Sequence, residues 1–127
     1  MKKLLTVLFL LLFAGFGTMK AQALSFEEAL QSKNPSAVLI YAPWAENADT
    51  TVTAFDSLAG VYGQKYNFVK IDIATEDAKS FNKTNYIYPN LPYVLLFKER
   101  GRMSRCITRD CLTNDTCIKE KMDLFAN

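Results

Sequence analysis

Ala37 to Tyr41 (AVLIY) is a run of five residues with no charge, amide or glycine. A strand with one wet face alternates apolar and polar side chains, so a continuous apolar run of this length is typical of a strand buried on both faces. Such a strand sits inside a sheet with helices laid over both sides, and the rest of the chain must supply its neighbours and its covers. Half of the 127 residues are hydrophobic, which suffices for one core of this kind.

The covers and neighbours can be read in order. Ser25-Phe26-Glu27-Glu28 has the pattern of a capping box and opens a short helix to about Ser32, which Asn34-Pro35 stops. After Ala42-Pro43-Trp44, the residues Val52, Phe55, Leu58, Ala59 and Tyr62 recur at helical spacing, and Gly63 is placed to close that helix. Asn67 to Ile73 (NFVKIDI) reads as a second strand with Val69, Ile71 and Ile73 on one face. A short helix is predicted from Thr75, as cap, to about Lys83. Tyr86 to Pro92 is irregular, aromatic and proline-containing. Tyr93 to Lys98 (YVLLFK) and Met103 to Thr108 form two further strands across a turn at Arg100-Gly101. Thr113 to Phe125 closes the chain as a helix with Ile118, Met122 and Phe125 on one side. Two βα units followed by a hairpin and a last helix predict an α/β fold: a mixed four-stranded sheet flanked by helices on both faces.

The first residues do not fit that core. A positive head, Met1-Lys2-Lys3, precedes the apolar stretch Leu4 to Phe16, and Ala21-Gln22-Ala23 supplies a small-x-small cleavage pattern. Residues 1–23 are expected to be a cleaved signal peptide and 24–127 one domain, placing the protein in the periplasm or outside the cell. The apolar run falls short of the roughly 20 residues of a membrane span, so no stable span is expected after cleavage. Removing that segment takes away three lysines and leaves 12 basic and 13 acidic residues. The positive balance of the whole chain therefore belongs to targeting, and nucleic-acid binding is not expected. One local exception is Lys98 to Arg109, with Lys98, Arg100, Arg102, Arg105 and Arg109 against Glu99 and Asp110. It reads either as a solvated hairpin or as a docking patch for an acidic partner.

There is no histidine, which removes the commonest general base and the commonest metal ligand. No Gly-rich phosphate loop is present either, and neither a cofactor nor a metal is expected. The acids Glu46, Asp49 and Asp72 read as solvated carboxylates near helix starts. Cys106, Cys111 and Cys117 lie near the C-terminus, and their odd number leaves at least one thiol outside any internal bridge. An oxidising compartment favours a disulfide. Cys111–Cys117 and Cys106–Cys111 are both open at this point, as are buried thiols and a redox pair.

Three stretches at the joints of these elements resemble the thioredoxin family, over nearly all of residues 24–127. Val38 to Ala48 (VLIYAPWAENA) is similar to the family's strand, tryptophan and Cys-x-x-C motif, with Trp44 at the tryptophan position and Ala45 and Ala48 at the two cysteine positions. Asn67 to Ile73 resembles the central strand. Asn90 to Lys98 (NLPYVLLFK) resembles the proline loop and the strand after it. The resemblance implies the thioredoxin-like three-layer fold and a cis peptide bond before Pro92. It also implies that Pro43, Trp44, Leu91, Pro92 and Tyr93 form an exposed aromatic ridge that holds an extended peptide or an envelope protein partner. The chain departs from the family in its chemistry. Disulfide exchange needs an attacking thiolate and a second thiol to resolve the mixed disulfide, and the sequence Ala45-Glu46-Asn47-Ala48 offers neither. Leu39 stands where many family members carry a buried acid. The expectation is a non-catalytic binding module; the alternative is a thiol–disulfide oxidoreductase working through the C-terminal cysteines, with one thiol activated by Arg105 and Arg109.

Overall fold

The computed structural model describes residues 24–126, and the leader expected over residues 1–23 lies outside the described residues. Strand β1 (Ser36–Tyr41) is internal to the sheet. Strand β2 (Asn67–Asp72) pairs with it in parallel on one side, and β3 (Tyr93–Lys98) pairs antiparallel on the other. Strand β4 (Met103–Ile107) pairs antiparallel with β3 at the edge, giving the order β2-β1-β3-β4. This is the mixed four-stranded sheet expected from the sequence. Ser36 to Ile40 and Tyr93 to Phe97 are buried throughout, because side chains on both faces of β1 and β3 meet helices.

Alternation along the strands splits the core in two. Leu39, Val94, Leu96 and Ile107 face helices α2 (Ala48–Tyr62), α4 (Arg109–Leu112) and α5 (Asp115–Ala126), packing on Phe55, Tyr62, Ile118 and Met122. Val38, Ile40, Ile71 and Leu95 face α1 (Phe26–Gln31) and α3 (Glu76–Asn82), packing on Phe26 and Phe81. The phenols of Tyr66 and Tyr62 donate hydrogen bonds to the carbonyls of Met122 and Lys119, at 2.6 and 3.3 Å, and so tie α5 to the turn before β2 and to α2. Burial, and then the nearby Asp123 carboxylate, push both phenols above the ordinary tyrosine range.

The expected capping box opens α1: Ser25 Oγ accepts from the Glu28 N–H, and Glu28 Oε1 accepts from the Ser25 N–H, both at 3.2 Å. The bond from the Ser25 amide, and then the Ser25 side chain, hold the Glu28 carboxyl below the usual carboxylate range. Gly63 and Thr75 occupy the caps read for them, each with its own bonding, and one further element appears. Gly63 caps α2 with a right-handed φ of −59°, and the orphan carbonyl of Tyr62 accepts instead from the amides of Lys65 and Tyr66. Thr75 stands at the N-cap of α3, but its hydroxyl donates backwards to the Asp72 carbonyl. The last helix forms as expected, but a short helix, α4, precedes it, and Cys111 lies on α4 rather than in a loop. Asn114 Oδ1 accepts from the Cys117 N–H at 3.0 Å and restarts the helix as α5.

Candidate functional site

The strand register decides which loops meet. Ile40 lies opposite Tyr93, and Val94 lies opposite Ile107. The segment leaving β1 (Ala42 to Ala48), the one entering β3 (Asn90 to Pro92) and the one leaving β4 (Thr108 to Asp110) therefore share one end of the sheet. Asn90, Thr108, Arg109 and Asp110 line a shallow depression there.

At this end the chain leaves β1 and makes two tight turns. The Ala45 N–H donates to the Ala42 carbonyl and the Ala48 N–H to the Ala45 carbonyl, each at 3.1 Å, before α2 begins at Ala48. Ala45 is half-buried, Ala48 is buried in the first turn of the helix, and Glu46 and Asn47 are exposed. The methyl groups at 45 and 48 have no nucleophilic electron pair. Behind them Leu39 is fully buried beneath α2, among Phe55, Val94 and Leu96. Its partner in the β1–β2 register is Lys70, whose ammonium is engaged by Asp56 of α2 at 3.0 Å.

Trp44 is 70% exposed, an unusual state for the largest apolar side chain, and Pro43 beside it is also exposed. The Leu91–Pro92 bond is cis, as the family resemblance implied. The expected ridge needs correction at its other end. Leu91 is half-buried, and Pro92 and Tyr93 are buried, with Tyr93 only 1% exposed. Tyr93 begins a strand covered on both faces, so its ring enters the core. Its hydroxyl accepts from the Tyr88 N–H at 3.0 Å, and burial pushes the phenol above its ordinary range. Tyr88 packs edge-on against Tyr93 with centroids 5.8 Å apart, and Tyr86 against Tyr88 at 5.0 Å. Tyr86 and Tyr88 are the exposed aromatics of this loop, and the sequence reading missed them. The available signal was three tyrosines within the eight residues from 86 to 93.

The candidate acids stand at the same end, Asp72 opposite Tyr41 in the parallel β1–β2 register. Glu46 and Asp49 are exposed, whereas Asp72 Oδ1 accepts from the Ala74 N–H at 2.8 Å and stabilises the turn after β2. Among the described residues no group of acids and cysteines is placed to hold a metal ion. Cys111 and Cys117 form a disulfide that links α4 to α5 across six residues of sequence. Cys106 is the free cysteine, on β4. Its thiol is pushed up by burial, opposite to the activation expected from Arg105 and Arg109.

A central mixed sheet with helices on both faces, a tight turn into a long helix and a cis-proline loop beside it define a thioredoxin-like fold. The chain is similar in structure to oxidised mitochondrial thioredoxin 3 from Saccharomyces cerevisiae, with TM-score 0.61, 18% identity, and coverage of 80% of this chain and 92% of that one. It is also similar to Deadhead, the germline-specific thioredoxin of Drosophila melanogaster (TM-score 0.56, 17% identity, 74% of this chain and 85% of that one). A malarial protein superimposes with TM-score 0.55 at 20% identity, over 68% of this chain and 96% of the other. No protein-family model matches the chain, and no curated protein matches it in sequence. These likenesses establish the fold. Among the described residues no helix is long and apolar enough to cross a membrane.

Proposed function

We propose that this chain is a non-catalytic thioredoxin-like binding module that holds an extended peptide, or an extended segment of an envelope protein, outside the cytoplasm. The observation that carries the reading is the asymmetry of the sheet end. Both sulfur positions are alanine, at Ala45 and Ala48, while exposed Trp44 and the cis-proline loop at Pro92 stand on the same end. An exposed aromatic beside free backbone is a suitable anchor for an extended chain. Export is proposed from the apolar segment and small-residue pattern within residues 1–23.

Two measurements test this. The protein is expected to give no turnover of a disulfide reporter above the no-enzyme control. Decapeptides selected from a random library by binding to the protein are expected to lose about tenfold or more in affinity on Trp44→Ala. Reporter turnover, or binding indifferent to Trp44, would overturn the proposal.

The rival is thiol–disulfide exchange through the C-terminal cysteines. It has in its favour an exposed free thiol, Cys106, in a chain that also carries a disulfide. Against it stand the upward push on that thiol and the burial of Cys111. Thiol counting and alkylation across pH separate the readings: the proposed module has one slow thiol and one inert bridge.

A further inference from the structure

All four arginines of the chain, Arg100, Arg102, Arg105 and Arg109, fall within ten residues. Each is exposed, and among the described residues none of their guanidinium groups forms an ion pair or hydrogen bond. The ion pairs Lys70–Asp56, Lys79–Glu76 and Lys119–Asp115 all use lysine. Residues 98–110 hold five basic and two acidic side chains, whereas the rest of 24–127 holds seven basic and eleven acidic. Positive charge is thus gathered on one hairpin of an otherwise acidic domain. The residue type is informative too, because a planar guanidinium pairs a carboxylate through two parallel hydrogen bonds where an ammonium acts as a point charge.

The same hairpin carries an open sheet edge. Among the described residues strand β4 pairs only with β3, and Met103 to Cys106 are all exposed. Along an antiparallel edge strand, alternate N–H and C=O groups point away from the sheet and remain available for pairing. A second copy of β4 is a poor match, since antiparallel pairing about Arg105 would set arginine against arginine. The complementary strand is one that carries acids.

We propose that the outer edge of β4 takes an acidic extended peptide as a fifth strand, with its backbone paired to Met103–Ile107 and its carboxylates on Arg102 and Arg105. Acids three positions apart suit the site, because Arg102, in the turn just before β4, and Arg105, on the strand, differ by an odd number of positions and do not share a face of the sheet. This surface runs along the sheet edge and does not rest on the reading of the Trp44 end.

The test uses the full chain and a fluorescent decapeptide with Glu at every third position and Thr elsewhere. Control peptides replace Glu by Lys, or carry N-methyl groups on alternate amides to block strand pairing. The Glu peptide is expected to bind and to slow hydrogen exchange at β4 amides. Its affinity is expected to fall about tenfold or more between about 50 and 300 mM salt. A similar loss is expected in R102E/R105E and a smaller one in R102Q/R105Q, with circular dichroism confirming that both variants fold. Trp44→Ala is expected to leave this binding unchanged. Equal binding by the Lys or N-methylated peptide, or by R102E/R105E, would overturn the proposal. So would loss of binding in Trp44→Ala, which assigns the peptide to the sheet end, or self-association that the peptide displaces, which assigns the edge to a second copy.

Discussion

Leu39 links the loop after β1 to the stability of the molecule. It is fully buried under α2, in the strand directly behind Ala45 and Ala48, packed among apolar side chains and set against Lys70 of β2 in register. Introducing an acid there would bury a carboxyl group in an apolar core, beside a lysine already engaged by Asp56. Leu39→Asp is therefore expected to destabilise the fold by about 3 kcal/mol or more, seen in denaturant unfolding. A variant within about 0.5 kcal/mol of the parent would show that the site is polar or wet after all. Leu39, Ala45 and Ala48 were legible in the sequence because each stands at a joint of the fold and its identity alone limits the chemistry. Tyr93 was misplaced because its aromatic character suggested a binding ridge. The apolar run YVLLFK already implied a strand covered on both faces, and that constraint prevailed. The Tyr88–Tyr93 hydrogen bond crosses a loop, and no local pattern announces such a contact.

The elements followed the sequence where periodicity was long and failed where a few residues decide. Strand β3 has the bounds read from its apolar run, and β1 gains only Ser36. Helix α4 has four residues, too few to show a period, and its separation from α5 depends on the single side-chain cap of Asn114. That break brings Cys111 and Cys117 together, with Cα atoms 5.2 Å apart. The bridge closes a short loop, and removing it by Cys111→Ala/Cys117→Ala is expected to cost about 2 kcal/mol. In a domain of this size that lowers the melting temperature by roughly 10 °C. An unchanged melting temperature would show that α4 and α5 are held by packing alone. The turn between β3 and β4 shows the opposite case. Glu99, Arg100 and Gly101 have φ of 55°, 58° and 86°, and Gly101 is the one residue of the three that adopts this region without strain. Arg100-Gly101 could therefore be read as a turn directly.

For the whole molecule, the two cores are joined through one sheet, and α5 is fastened to it by Tyr62 and Tyr66 as well as by apolar packing. Both phenols titrate above their ordinary value in the folded state. Their stabilising contribution is therefore fully present below the unfolded tyrosine pKa of about 10 and is lost as pH rises through that value towards the folded one. Stability is expected to hold level up to about pH 9 and to fall above about pH 10. Tyr66→Phe, which removes the bond to Met122, is expected to cost about 1 kcal/mol at neutral pH and to make the alkaline fall shallower. An alkaline limb of equal slope in Tyr66→Phe would show that Tyr66 is not its source. The separation of charge has a consequence that net charge hides. Residues 24–127 carry one more acid than base, but their arginines all stand along one edge of the sheet. The domain is thus an electric dipole. Near a charged surface of either sign it turns before it touches, and its isoelectric point describes neither face that does the touching.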